Sequence, residues 1–207
     1  VADAEAWSAQ LEALVPSLEV LNYGVGGYGT DQALLRVSRE AHGPAQVLVV
    51  GLMLENIGRN VNRYRPLWYP RAQPAAKPRY VLGAAGLELV AQPFATRTEF
   101  VGAVRAGTVL ALLAEHEHWA APHVPDWLRW SLLARLAGAQ RAYAERQHEA
   151  LWRDVEGEPF RTTLALLEAF RGVARGLGAE QLVVLVFPTR GDLAGYMAGY
   201  AKIDNLV

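Results

Sequence analysis

Two stretches decide the fold. One is Val20-Leu21-Asn22-Tyr23-Gly24-Val25-Gly26-Gly27-Tyr28-Gly29-Thr30-Asp31-Gln32, and the other is Val47-Leu48-Val49-Val50-Gly51-Leu52-Met53-Leu54-Glu55-Asn56. Each runs from apolar, strand-forming residues into a turn that carries a polar amide. The first predicts a strand over residues 18–25 and a glycine turn, then a helix over 31–41 with Thr30 as its N-cap and His42-Gly43-Pro44 as its stop. The second, residues 46–54, is almost unbroken in its apolar character and predicts a strand buried on both faces. Strand, helix, strand in that order argues for a parallel sheet covered by helices. In such a sheet, ligands bind outside the carboxyl ends of the strands.

The rest of the chain is read outward from this unit. Trp7, Leu11 and Leu14 share one helical face, so residues 4–15 predict an amphipathic helix ended by Pro16. Pro66, Pro70, Pro74 and Pro78 bar a long helix over 57–80. Arg79-Tyr80-Val81-Leu82 and Leu87-Glu88-Leu89-Val90, joined by Gly83-Ala84-Ala85-Gly86, predict a hairpin over 79–91. Helices are expected over 97–118 and 125–153, separated by Pro122 and Pro125. Leu166, Phe170, Val173 and Leu177 mark a further helix, closed near Gly176 and Gly178, and Gln181–Phe187 a third buried strand. Residues 57–155 read as a large mixed insertion between sheet strands, placed where lids form.

Composition narrows the classes of function. A chain of 207 residues is most simply one domain with a real core. The net charge of −1 gives no pull toward nucleic acid or anionic membrane, so neither is expected as a partner. With no cysteine there is no disulfide framework and no thiolate site. No apolar run approaches the ~20 residues of a membrane span, and no signal peptide is visible. The start at Val1, inside a helix-like segment, and the stop at Ile203-Asp204-Asn205-Leu206-Val207 read as a chain cut at both ends.

Gly24-Val25-Gly26-Gly27-Tyr28-Gly29 matches Gly-x-Gly-x-x-Gly between an expected strand and an expected helix, the setting of a dinucleotide-binding turn. On that alternative, Gly24, Gly26 and Gly29 would cradle the pyrophosphate. The fingerprint also needs an acid about 20 residues on, at the end of the next strand, to hold the ribose. Glu55 is the available acid; it comes late, and a proline-rich insertion follows it. A third possibility is a plain tight turn.

The residues Asn22-Tyr23-Gly24-Val25-Gly26-Gly27-Tyr28-Gly29-Thr30 also resemble the second sequence block of the SGNH/GDSL hydrolases. Glu55-Asn56 falls where that family's third block, Gly-x-Asn-Asp, would lie. Asn56 matches the block's Asn, Ile57 replaces its Asp, and its glycine is absent. The resemblance extends over Trp7–Val15, Thr30-Asp31-Gln32 and Lys77–Leu89, and loosely to 181–189. It implies a three-layer α/β/α sandwich around a parallel sheet and an ester hydrolase working through an acyl-enzyme. It further implies an oxyanion hole built from the Gly27 N–H and the Asn56 side chain, with Asn22, Tyr28, Glu55 and Arg59 near a small-molecule ester substrate. No metal or organic cofactor is implied. Neutral, rigid donors suit this chemistry because they can be aimed in advance at the tetrahedral oxyanion.

Two blocks of that family are missing. No Gly-Asp-Ser turn precedes the glycine loop, since Ser8 lies in a helical pattern and Ser17 follows Pro16. No Asp has His three residues on, and Gly191-Asp192-Leu193 carries Leu where a nucleophile would stand. The catalytic Ser, His and Asp are therefore expected outside this chain, the alternative being a relative that binds without catalysing.

Other patterns have plainer readings. Glu115-x-x-His118 and Glu145-x-x-His148 match half of a carboxylate di-iron bundle. The sheet strands argue against such a bundle, so a solvated helix face is the expectation, and His116, His118 and His123 form no zinc spacing. Arg59, Arg63, Arg65, Arg71, Lys77 and Arg79 interleave with Tyr64, Trp68, Tyr69 and Tyr80. That pattern suits an ordinary structured loop, or a lid lining a cleft for a sugar or an acidic acyl group, better than a nucleic-acid surface. Trp127, Trp130, Ala134 and Ala137 share a helical face expected to pack the insertion's core.

Overall fold

A computed structural model describes residues 5–69, 72–120, 127, 130–188, 193 and 194. In chain order its elements are α1 (Trp7–Leu14), α2 (Thr30–Glu40), β1 (Val47–Met53), α3 (Asn56–Asn60), α4 (Arg65–Trp68), β2 (Arg79–Gly83), β3 (Gly86–Val90), α5 (Arg97–Ala106), α6 (Val109–Leu113), α7 (Leu132–Glu145), α8 (His148–Arg153), α9 (Glu158–Gly176) and β4 (Gln181–Phe187). Two 3₁₀ turns, Ala114–His116 and His118–Ala120, follow α6. The class is mixed α/β. β1 and β4 pair in parallel, from Val47 opposite Gln181 to Met53 opposite Phe187. β2 and β3 form the expected antiparallel hairpin, closed by Gly83 opposite Gly86.

The burial of β1 corrects the reading of its sequence. Val50 and Leu52 are buried, while the alternating Val47, Val49, Gly51 and Met53 are exposed. A strand turns successive side chains to opposite faces, so one face of the pair is covered and the other is open. Val50 packs with Leu34 and Val37 of α2 and with Leu166 and Phe170 of α9. Leu52 packs with Leu54, Ile57 and Trp152. β4, expected to be buried, exposes Val184, Leu185, Val186 and Phe187. The described residues thus build a sheet layer and one helical layer. A third layer is not among them.

The strand expected at 18–25 does not form. Its backbone donors are used locally: Val20 N–H donates to Glu12 Oε1 (2.6 Å), Leu18 N–H to the Val15 carbonyl (3.0 Å) and Gly24 N–H to Asn22 Oδ1 (2.9 Å). The last is an Asx turn, which bends the chain mid-run. Leu18, Leu21 and Val25 are left exposed. In α1 the expected apolar face is likewise not the buried one, because Ser8 is buried while Trp7 and Leu14 are exposed.

Helix boundaries follow local chemistry. α2 begins one residue early, with Gly29 as N-cap in place of Thr30 and Gln32 Oε1 accepting from the Gly29 N–H (3.4 Å). The helix expected over 97–118 breaks at Gly107, whose φ of 70° reverses the chain at the end of α5. At its start, Thr96 Oγ1 accepts from Glu99 N–H (3.2 Å). The helix expected over 125–153 is seen as α7 and α8. Trp127 and Trp130 are exposed rather than packed, Trp130 at 95 %.

Residues 61–119 contribute two further clusters: Tyr64, Phe94, Val109 and Leu113, and Val61, Trp68 and Trp119. The second sets a sharp requirement at Gly58, where an added Cβ would lie 2.0 Å from the Trp68 ring. Gly58 also accepts the Trp119 indole N–H on its carbonyl (3.1 Å). Gly58→Ala is expected to displace Trp68 and cost about 2–3 kcal/mol, the range of core overpacking. Chemical denaturation measures that cost.

Candidate functional site

The glycine turn singled out in the sequence packs against α3, the helix that Asn56 opens. Gly27 has φ +84°, a backbone that glycine adopts without steric penalty. It brings the chain round to Gly29, where a Cβ would lie 2.7 Å from Asp31 Oδ1, 3.4 Å from Asn60 Oδ1 and 3.5 Å from Arg59 Cβ. The glycine turn is therefore pressed against α3, the element that follows β1. Asn60, fully buried, locks the contact. Its Oδ1 accepts from the Asp31 N–H (3.3 Å), and its Nδ2 donates to Thr163 Oγ1 (2.9 Å). Thr163 in turn donates to the Pro159 carbonyl (2.8 Å), so one amide joins α2, α3 and α9. The sequence reading passed over Asn60; its place one helical turn after Asn56 was the available signal.

Between these turns and the segment after α4 lies a cavity of about 200 Å³. Gly26, Gly27, Tyr28 and Gly29 form one side and Arg59 another. Of the residues that sequence reading assigned to substrate, Tyr28 and Arg59 line this space, and so does the expected oxyanion donor Gly27. Asn22 does not; its side chain serves the Asx turn and donates to Ser8 Oγ (3.3 Å). Glu55 is one step removed. It pairs with Arg59 (2.5 Å) and accepts from the Tyr69 hydroxyl (3.4 Å), which itself accepts from Arg59 Nη2 (2.9 Å). Asn56 opens α3, is 5 % exposed, and is not among the lining residues. Its Oδ1 is buried with no hydrogen-bond partner.

The basic and aromatic residues divide. Arg63, Arg65, Lys77, Trp68 and Tyr69 line the cavity, whereas Arg79, Tyr64 and Tyr80 do not. Arg71 lies outside the described residues. The placement of the lining side chains rests on a buried frame. Lys77 forms an ion pair with Asp31, and Asp31 is 2 % exposed. Burial pushes the Asp31 carboxyl up and the Lys77 ammonium down, while their mutual attraction opposes both shifts. The Glu117 carboxylate, also buried, accepts from the N–H groups of Arg63 (2.6 Å), Tyr64 (2.7 Å) and Trp119 (3.1 Å) and so fixes the loop that presents Arg63.

Arg79 is the third support. Its Nη1 donates to the carbonyls of Val61 (2.7 Å) and His116 (2.8 Å), and its Nη2 pairs with Glu158. Glu158 also bonds His118 Nδ1 (2.7 Å). Burial alone would raise the Glu158 pKa, but the His118 hydrogen bond and the Arg79 charge outweigh it and hold it at about 2 instead of 4.5. A depressed carboxyl stabilises the fold above its unfolded pKa, and the contribution fades as pH falls through the folded value. The stability difference between the wild type and Glu158→Gln is therefore expected to shrink as pH is lowered from about 4.5 to about 2. Urea unfolding across that window reads it, and a difference that grew would refute it.

The competing motifs fare differently. The Gly-x-Gly-x-x-Gly turn is not preceded by a strand, Gly24 does not line the cavity, and Glu55 is engaged by Arg59. His118 of the first Glu-x-x-His pair is bonded to Glu158, and Glu115 is 86 % exposed. Among the described residues no three His, Cys, Asp or Glu side chains are grouped to hold a metal ion. No described helix is long and apolar enough to cross a membrane. Gly191-Asp192 lies outside the described residues. No family model, no curated protein and no solved structure matches this chain.

Proposed function

We propose that this chain carries the oxyanion-binding turns of an SGNH/GDSL-type ester hydrolase built on a three-layer α/β/α sandwich. The observation that carries the reading is the contact between the glycine turn and α3, with Gly29 seated against Arg59 and Asn60. The resemblance in sequence assigns these two segments to one site, and they pack together. A parallel β1–β4 pair immediately before α3 suits the strand-end placement of such a site.

In this reading a serine supplied from outside residues 1–207 attacks the ester carbonyl. A histidine takes its proton, an aspartate orients that histidine, and the alcohol leaves from the tetrahedral intermediate to give an acyl-enzyme that water hydrolyses. The part played by this chain is electrostatic. In this reading the donors to the oxyanion are the Gly27 N–H, which lines the cavity, and the amide of Asn56, which does not line it. Asn56 is 5 % exposed, so its part in this reading rests on the sequence resemblance. Arg59, steadied by Glu55 and Tyr69, borders the ester's leaving or acyl portion.

The test is saturable hydrolysis of p-nitrophenyl acetate by the full-length protein, abolished by a serine-directed sulfonyl fluoride. Absence of hydrolysis together with a melting shift on adding NAD would overturn the proposal in favour of the dinucleotide reading. Absence of both would leave a binding module that does not catalyse.

A further inference from the structure

The cavity beside the glycine turn is lined by four cationic residues, Arg59, Arg63, Arg65 and Lys77, and by no carboxylate. Two of the cations are already balanced, Arg59 by Glu55 and Lys77 by Asp31. Of the other two, Arg63 is attracted by the buried Glu117 carboxylate but forms no ion pair with it. Arg65 is exposed and forms no ion pair among the described residues. Arg63 is 3 % exposed, and although its Nη2 donates to the Ala91 carbonyl (2.7 Å), its Nε is buried without a partner. Leaving a buried charged donor unmade costs free energy, so such a group marks a place where a partner is absent.

We propose that this cavity binds the anionic group, a carboxylate or phosphate, of a small ligand, with Arg65 and Arg63 as its principal cationic partners. Guanidinium forks fit both groups because each presents paired oxygens for parallel N–H donation. The about 200 Å³ of space is below the ~300 Å³ at which drug-sized pockets begin, so the group is one acid function or one acid-bearing ring. Tyr28, Trp68 and Tyr69 supply flat apolar walls for such a ring. Describing the ligand as an ester substrate rests on the hydrolase reading above; the binding itself does not.

The experiment is calorimetric titration of the chain with galacturonate, inorganic phosphate and neutral galactose, each at low and high salt. At least one of the two anions is expected to bind, more weakly at high salt, and galactose is not. Which anion binds identifies the source of the charge. Arg65→Gln, a change at an exposed side chain, is expected to weaken that binding by about tenfold. Arg36→Gln, which removes an exposed i,i+4 pair with Glu40 and does not touch the cavity, is expected to leave it unchanged. Failure of both anions to bind, or equal losses in the two variants, would overturn the proposal. Because binding is read without turnover, its failure would leave ester hydrolysis standing, and a failure of hydrolysis would leave the anion site standing.

Discussion

Replacing Asn56 by Ala in the full-length protein is expected to lower kcat by about 10²–10³-fold with little change in KM, the loss typical of one removed oxyanion donor. The donor acts on charge that exists only in the transition state, so the ground-state complex should not register its removal. The expected cost in stability is smaller than that of truncating a fully hydrogen-bonded buried Asn. Asn56 is 5 % exposed, but its Oδ1 holds no hydrogen bond, so truncation breaks no bond at that atom. Steady-state kinetics and a melting curve on the same sample separate the two effects. Asn60→Ala is the contrasting variant. It severs the link among α2, α3 and α9 and should lower the melting temperature itself.

The largest effect on stability is expected from Lys77→Met. Asp31 is almost wholly inaccessible, and one of its carboxylate oxygens already lacks a partner. Removing Lys77 would leave that charge buried and uncompensated, a change that costs about 3–5 kcal/mol. The double variant Asp31→Leu, Lys77→Met is expected to recover most of the loss, because it removes the charge along with its counter-ion. Urea midpoints for the single and double variants measure the coupling. Equal destabilisation by both would mean that the pair is held by packing rather than by charge.

How much of this could be read in the sequence depends on whether a signal was local. The runs at 47–53, 79–90 and 181–187 showed their strands because β-branched and apolar residues bounded by Gly and Pro suffice to mark them. The segment 18–25 has the same composition, yet a strand is completed only by a neighbour, and there Glu12 and Asn22 take up backbone donors instead. Burial of β1 and β4 was overestimated for a related reason: an unbroken apolar run does not reveal whether both faces are covered. The breaks at Gly107 and between Glu145 and His148 lay within helical patterns that periodicity alone joins together.

The candidate site was legible at Gly27, Tyr28 and Arg59, which lie in or just after the two polar turns. Long-range partners were not. Nothing near Lys77 in sequence announces Asp31, nothing near Arg79 announces Glu158, and Glu117 gives no sign that it caps the loop at 62–64. Such pairings depend on which faces the fold brings together. The basic and aromatic run over 59–80 offered a cleft lining in the sequence, but which of its members face the cavity emerged only from the structure.

Whether these two turns complete the oxyanion hole of a serine ester hydrolase is read by intact-mass analysis after treatment of the full-length protein with a fluorophosphonate. One covalent phosphonyl adduct is expected on a serine outside residues 1–207, formed markedly more slowly in Asn56→Ala because the adduct's oxygen sits where the oxyanion would. No adduct, or an adduct formed at the same rate in both proteins, would contradict it.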